Sequence, residues 1–217
     1  MNIADMNKMN LTKQKIMRAA IVLFANKGFD CTTTREICKS AGVNLSMISY
    51  YFKTKEGLYI NLIESIVDYG LSTLAEYFEK AKNIDDYSKE EKIDIYRKFL
   101  EAFVGIMYSE LVPSCFVILM IKEQTNPHSR FSDMYGKKIE KLYSALRKIV
   151  ASIMGKKEND KVVIFEVSKM ISQILSMKIM DRANLSALKQ EEYTSDDKKR
   201  IIKIILKNVE NNINFNE

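Results

Sequence analysis

The stretch Thr32–Leu58, TTTREICKSAGVNLSMISYYFKTKEGL, constrains the fold more than any other part of this chain, because it encodes two short helices across one tight turn. The Thr33 hydroxyl can accept from the first turn of a helix. Glu36, three residues on, can return a bond to the Thr33 N–H, and this capping box starts the helix near Thr34. Ile37 and Ala41 share one face. Gly42 ends the helix, as the residue that adopts positive φ without a Cβ penalty. Asn44 stands where it can cap the next helix, in which Ile48 and Phe52 fall on the inner side. Leu45, Ser46, Met47, Ser49 and Tyr50 are left facing outward, a mixture unlike an ordinary solvated face. Such a pair of helices suits DNA reading, with the second one lying in a major groove.

The charge follows the same segment. Residues 1–60 hold nine Lys or Arg against four acids, a net +5, while the whole chain is +6. A helical hairpin that merely packed into a larger protein would not need this concentration; a surface meeting phosphates would. Arg35, Leu45, Ser46, Met47 and Ser49 are the candidates for base edges. Thr33, Tyr50, Tyr51, Lys53 and Lys55 are the candidates for phosphates, which set register without reading sequence.

The order T-T-x-x-E-I-C-x-x-A-G-V-N-x-x-x-I-x-Y-Y-F-x-x-K-E-x-L resembles the amino-terminal domain of the TetR family of bacterial transcriptional regulators, with the likeness running from Leu11 to Leu58. Cys38 stands where alanine is usual and Ser49 where tyrosine is common. Two later segments, I-K-E-Q-T-N-P-H-S-R-F-S-D-M-Y (121–135) and I-S-Q-I-L-S-M-K-I-M-D-R-A, resemble the ligand domain of the subgroup containing the regulator of cefoperazone and chloramphenicol sensitivity. The resemblance implies a ligand-responsive regulator, by default a repressor. It would bind a near-palindromic double-stranded DNA operator as a homodimer and be released by a small apolar effector.

Only two prolines and seven glycines interrupt 217 residues that are 47% hydrophobic, which favours an all-α fold. We expect a three-helix helix-turn-helix domain over 1–54 and a larger helical ligand-binding and dimerisation domain over 55–217. One long helix should run from Thr54 to about Lys80 as a lever. Further helices are expected near 89–109, 113–124, 129–154, 159–180 and 196–213. Phe103, Met107, Phe116, Met120, Glu123, Phe131, Tyr135 and Met170 could line an apolar pocket with a few polar groups. The last two helices carry more apolar residues than one contact face uses. Val167, Ile171, Ile174, Ile201, Ile205 and Val209 are therefore the candidates for a dimer interface. Ser168, Ser172 and Ser176 form a small-residue row beside them.

Several classes of chemistry are disfavoured. The three cysteines have no metal-ligand spacing, the single histidine (His128) supports no triad, and no Gly-rich phosphate loop occurs. Paired acids such as Asp85-Asp86 lie in polar connections. The expectation is a protein that is not an enzyme and needs no metal or cofactor. The amino terminus has no secretory pattern, and the run from Leu111 to Ile121 is too short to span a bilayer, so a reducing cytoplasm is expected. The competing reading is a helical protein-interaction or membrane-surface module with a basic end. Against it, the basic residues are not gathered on one amphipathic helix.

Overall fold

The computed structural model describes residues 11–109, 112–125 and 129–213; for 123–125, 129–135 and 208–213 it describes the backbone path alone. Eleven α-helices and one short 3-10 turn, with no strand, make up the described residues. They form two compact units, Met1–Ser72 with Val112–Tyr135 and Thr73–Leu111 with Gly136–Glu217.

The first unit holds α1 (Leu11–Lys27), α2 (Thr34–Ala41), α3 (Ser46–Phe52), α4 (Lys55–Thr73) and α7 (Ser114–Thr125). Along α1, Ile16, Ala20 and Phe24 recur at four-residue spacing and are fully buried, which makes that face the floor on which α2, α3 and α7 pack. Phe24, Phe29 and Tyr59 form an aromatic cluster: Tyr59 meets Phe24 edge-on at 5.0 Å and Phe29 at 5.1 Å. From α7, Lys122 Nζ donates to the Ala25 carbonyl in the last turn of α1, where the helix leaves its acceptors unpaired.

The second unit holds α5 (Ala75–Lys82), a 3-10 turn at Ile84–Asp86, α6 (Lys89–Met107), most of α8 (Ser129–Met154), α9 (Lys161–Ile179), α10 (Asp181–Leu188) and α11 (Ser195–Ile213). Local chemistry sets several ends. Ser88 and Glu91 form a capping box at α6, Gly155 follows α8 with φ 62°, and the Asp160 side chain accepts from Val162 N at the start of α9. The core between α6, α9 and α11 is built from Phe99, Leu100, Val163, Ile174 and Ile205.

Three sequence expectations change. The lever helix expected to reach Lys80 stops at Thr73. Leu74 (φ −93°, ψ 5°) turns the chain and is itself buried, and α5 begins at Ala75. No glycine or proline marks this break; it lets Leu74, Tyr77 and Phe78 be buried in register. A short helix, α10, occupies part of the stretch between the helices expected at 159–180 and 196–213. Finally, Val167, Ile171, Ile174, Ile201 and Ile205, expected at a dimer interface, are buried inside their own chain. The apolar residues those helices leave outside are Val162, Ile164, Phe165, Ile179 and Ile204. A helix apolar on two sides does not announce which side meets its own core. Val209 lies outside the residues whose side chains are described.

Between α3 and α4 the chain makes a three-residue turn at Lys53 (φ 66°, ψ −50°), closed by a bond from Thr54 N to the Phe52 carbonyl at 2.8 Å. The turn brings that carbonyl against Gly57, where a Cβ would stand 2.2 Å from it. Gly57→Ala should therefore lower the unfolding free energy by about 1–3 kcal/mol. Gly105, exposed in the last turn of α6 with nothing near its missing Cβ, should gain up to about 0.5 kcal/mol as alanine. Urea titrations of both variants check this pair; a neutral Gly57→Ala would show that the turn yields.

Candidate nucleic-acid interface

The capping box expected at α2 is present. Thr33 Oγ1 accepts from Glu36 N at 3.2 Å, and Thr33 N donates to Glu36 Oε2 at 2.9 Å. Lys27, at the end of α1, reaches the other carboxylate oxygen at 2.6 Å and ties the two helices together. Lys27, followed by Thr33, holds the Glu36 carboxyl down at about 2, against an ordinary value of 4.5. The Thr33 hydroxyl also donates to Glu36. Thr33 is thus occupied within the box, which argues against its expected place at a phosphate.

Gly42 closes α2 with φ 66°, its N–H returning to Cys38 and Lys39 carbonyls. Cys38 packs in the unit's core with its thiol facing the Asn44 carbonyl at 3.7 Å, and burial pushes that thiol up. Asn44, expected as a side-chain cap, does not cap α3. The N-cap is Leu45, with no side-chain bond, and Asn44 contributes its backbone carbonyl to Met47 N. Thr12, Cys38, Lys39, Gly42, Val43, Asn44 and Met47 surround an open depression of about 430 Å³ at this turn.

Ile48 and Phe52 point α3 inward, and everything else on that helix follows from them. Leu45, Ser46, Ser49 and Tyr50 are exposed and form one outward stripe that Lys53 continues; Met47 and Tyr51 are half-buried at its edges. Tyr50 is 75% exposed, its ring edge-on to Tyr51 at 4.8 Å. Arg35 and Lys39 are exposed on α2. Lys39 was not singled out from the sequence, although a cation in the last turn of a helix beside the turn glycine was a usable signal.

Lys55 departs from its expected role. Its ammonium donates to the Phe29 carbonyl at 2.9 Å and the Thr32 carbonyl at 3.0 Å, and sits 4.3 Å from the Phe29 ring centre. Two of its three N–H donors thus hold the loop before α2 against the start of α4. Its first duty is positioning.

The other sequence candidates lie elsewhere. Phe116 and Met120 are buried in the first unit, and Phe103, Met107 and Met170 in the second. The side chains of Glu123, Phe131 and Tyr135, and His128 altogether, lie outside the described residues. No group of His, Cys, Asp and Glu that could hold a metal occurs among the described residues, and no described helix is long and apolar enough to cross a membrane.

A helix-turn-helix with a buried inner edge, an outward mixed stripe and flanking cations is the reading head of a DNA-binding transcriptional regulator. Comparison with known proteins agrees. Residues 16–62 match the family described as bacterial regulatory proteins, tetR family. Residues 93–213, more than half of the chain, match the C-terminal domain of the HTH-type transcriptional dual regulator CecR. The chain belongs to the TetR family, with a C-terminal domain of the CecR type. It is 28% identical to the CecR dual regulator of Shigella flexneri over 170 residues, 77% of this chain and 75% of that one. It is 45% identical to the probable HTH-type transcriptional regulator YttP of Bacillus subtilis over 82 residues, 38% of each chain. A crystal structure of a TerR/AcrR-family regulator from Aquifex aeolicus shares the fold at a TM-score of 0.56 and 19% identity, covering 92% of this chain and 98% of that one.

The Glu36 carboxylate supplies a pH signature. A carboxyl held near 2 in the folded chain and near 4.5 otherwise contributes stability that is complete above about pH 4.5 and fades as the pH falls toward 2. The stability gap between the chain and its Glu36→Gln variant should stay constant from neutral pH down to that range and then close. Denaturant titrations across pH check it, and an equal gap at both ends would remove the ion-paired box from the account.

Proposed function

We propose that the chain is a ligand-responsive repressor that binds a near-palindromic operator as a homodimer and releases it when a small apolar molecule binds. Residues 1–54 read the DNA, and 55–217 bind the effector and dimerise. The observation that carries this reading is the outward stripe Leu45, Ser46, Ser49, Tyr50 and Lys53 on a helix whose inner side is anchored by Ile48 and Phe52. Two such stripes in successive major grooves stand roughly 34–36 Å apart. Arg35, Ser46, Ser49 and Met47 take base edges; Tyr50, Lys53 and Lys39 take phosphates.

Release has a physical route within the first unit. Phe116 and Met120 lie on α7, which packs on α1, and Lys122 of the same helix bonds the α1 carbonyl of Ala25. An effector that displaces α7 therefore acts on the helix that supports α2 and α3. By linkage, operator DNA weakens effector binding by the same factor.

For the homodimer, α9 offers an outward row of Phe165, Ser168, Ser172, Ser176 and Ile179, with Ile204 exposed on α11. The Ser168 and Ser176 hydroxyls bond back to Ile164 and Gln173 carbonyls, which leaves a low, small-residue ridge between two apolar ends. Phe165→Glu should convert a micromolar dimer to monomer in sedimentation equilibrium, whereas an unchanged mass would place the interface elsewhere.

Selection of bound sequences from random duplex DNA at two salt concentrations tests the whole reading. A palindrome with half-sites about one helical turn apart is expected. On that site, Lys53→Gln should reduce the salt slope by about 1 with sequence preference unchanged. Binding without any enriched sequence would sink the operator claim.

A further inference from the structure

Four side chains from separate segments of the second unit, none of them given a role above, meet in one cluster. Tyr108 follows α6, Lys178 lies in the last turn of α9, Asp181 opens α10, and Tyr193 stands in the connection to α11. Lys178 and Asp181 are 8% and 6% exposed and paired at 2.9 Å. The Lys178 ammonium lies 4.7 Å from the centre of the Tyr108 ring, and the Tyr108 and Tyr193 rings meet edge-on at 5.9 Å.

The charges in this cluster are accounted for, but the hydroxyls are not. Tyr108 Oη and Tyr193 Oη are both buried and have no hydrogen-bond partner among the described residues. The Asp181 carboxylate lies beside both phenols, and Asn184 beside Tyr193. Burial, followed for Tyr108 by the Asp181 charge, raises both phenols and keeps them protonated. Phenylalanine would fill either position without a stranded hydroxyl, so two together in one buried cluster mark a place for a polar group.

We propose that Tyr108 and Tyr193, over the Lys178–Asp181 pair, form the polar end of the effector site and take an uncharged hydroxyl of an aromatic or aliphatic alcohol. This rests on the ligand-responsive reading and specifies its ligand. The ion pair is already neutral, so a charged group brought here stays uncompensated. An anion would face Asp181, and a cation would compete with Lys178 for the same carboxylate and the same ring. A hydroxyl can accept from one tyrosine and donate to the other or to Asp181. Its occupancy ties the ends of α6, α9 and α10 together, and α9 is the helix that carries the outward row ending in Ile179.

The test uses the full chain and four probes that share one ring: benzyl alcohol, toluene, benzoate and benzylammonium, titrated by ligand-observed NMR. Benzyl alcohol should saturate at a Kd about tenfold or more below the other three. The Tyr108→Phe and Tyr193→Phe variants should each lose that preference while keeping or raising the Tm, since each removes a stranded hydroxyl. Equal binding of toluene and benzyl alcohol, a preference for either ion, or a preference that survives in the double variant would overturn the assignment. Operator selection on the same preparation separates the two readings. DNA selected with no alcohol preference removes this site and leaves the regulator. An alcohol preference with no selected DNA removes the operator and leaves the site.

Discussion

The ammonium of Lys55 bonds the Phe29 and Thr32 carbonyls, and the placement of the reading head depends on that clamp. These carbonyls belong to the loop between α1 and α2, in which the Phe29 carbonyl also accepts from Thr32 N at 3.3 Å. A cation at the start of α4 answers both and rests on the Phe29 ring. Below it, Phe29 stacks toward Phe24 and meets Tyr59, so the loop is pinned by charge from above and aromatic packing from below. Thr32, fully buried, adds bonds from its hydroxyl to Gly28 and Leu23 carbonyls. With the loop fixed, Thr33 arrives where its capping box must form.

On the other side of α3 the constraint is steric. The Lys53 turn places a non-glycine residue at positive φ, a costly conformation that persists only where the surroundings impose it. Phe52, buried before the turn, and Leu58, buried after it, supply that imposition. Gly57 gives room for the Phe52 carbonyl. The recognition helix is therefore held at its start by α2's glycine turn and at its end by a strained link to α4. The connection between α3 and α4 is thus short and strained. This rigidity suits a head that must be presented or withdrawn as one piece.

The second unit solves a different problem. It buries a Lys–Asp pair and two phenolic hydroxyls that an apolar core of equal volume would not need. Polar groups of this kind are expensive unless they fix a geometry or meet a ligand. Their position where α6, α9, α10 and the loop before α11 converge makes them suited to report occupancy to the helices that carry the outward row.

Residues close in sequence determined several helix ends. Thr33 with Glu36, Gly42, Ser88 with Glu91, and Gly155 each act within three or four residues, so their effect is legible without a fold. The division of α3 into Ile48 and Phe52 inside and Leu45, Ser46, Ser49 and Tyr50 outside was equally legible, because one face is plainly more apolar. Tertiary structure decided the rest. Val167, Ile171, Ile174, Ile201 and Ile205 went inward and Phe165 and Ile204 outward on helices apolar on two sides, a choice that depends on which neighbour covers them. The chain turned at Leu74 with no breaker to announce it, and Lys55 spent its charge on carbonyls more than twenty residues away. Capping is local chemistry, whereas burial and long-range bonding exist only once distant segments have met.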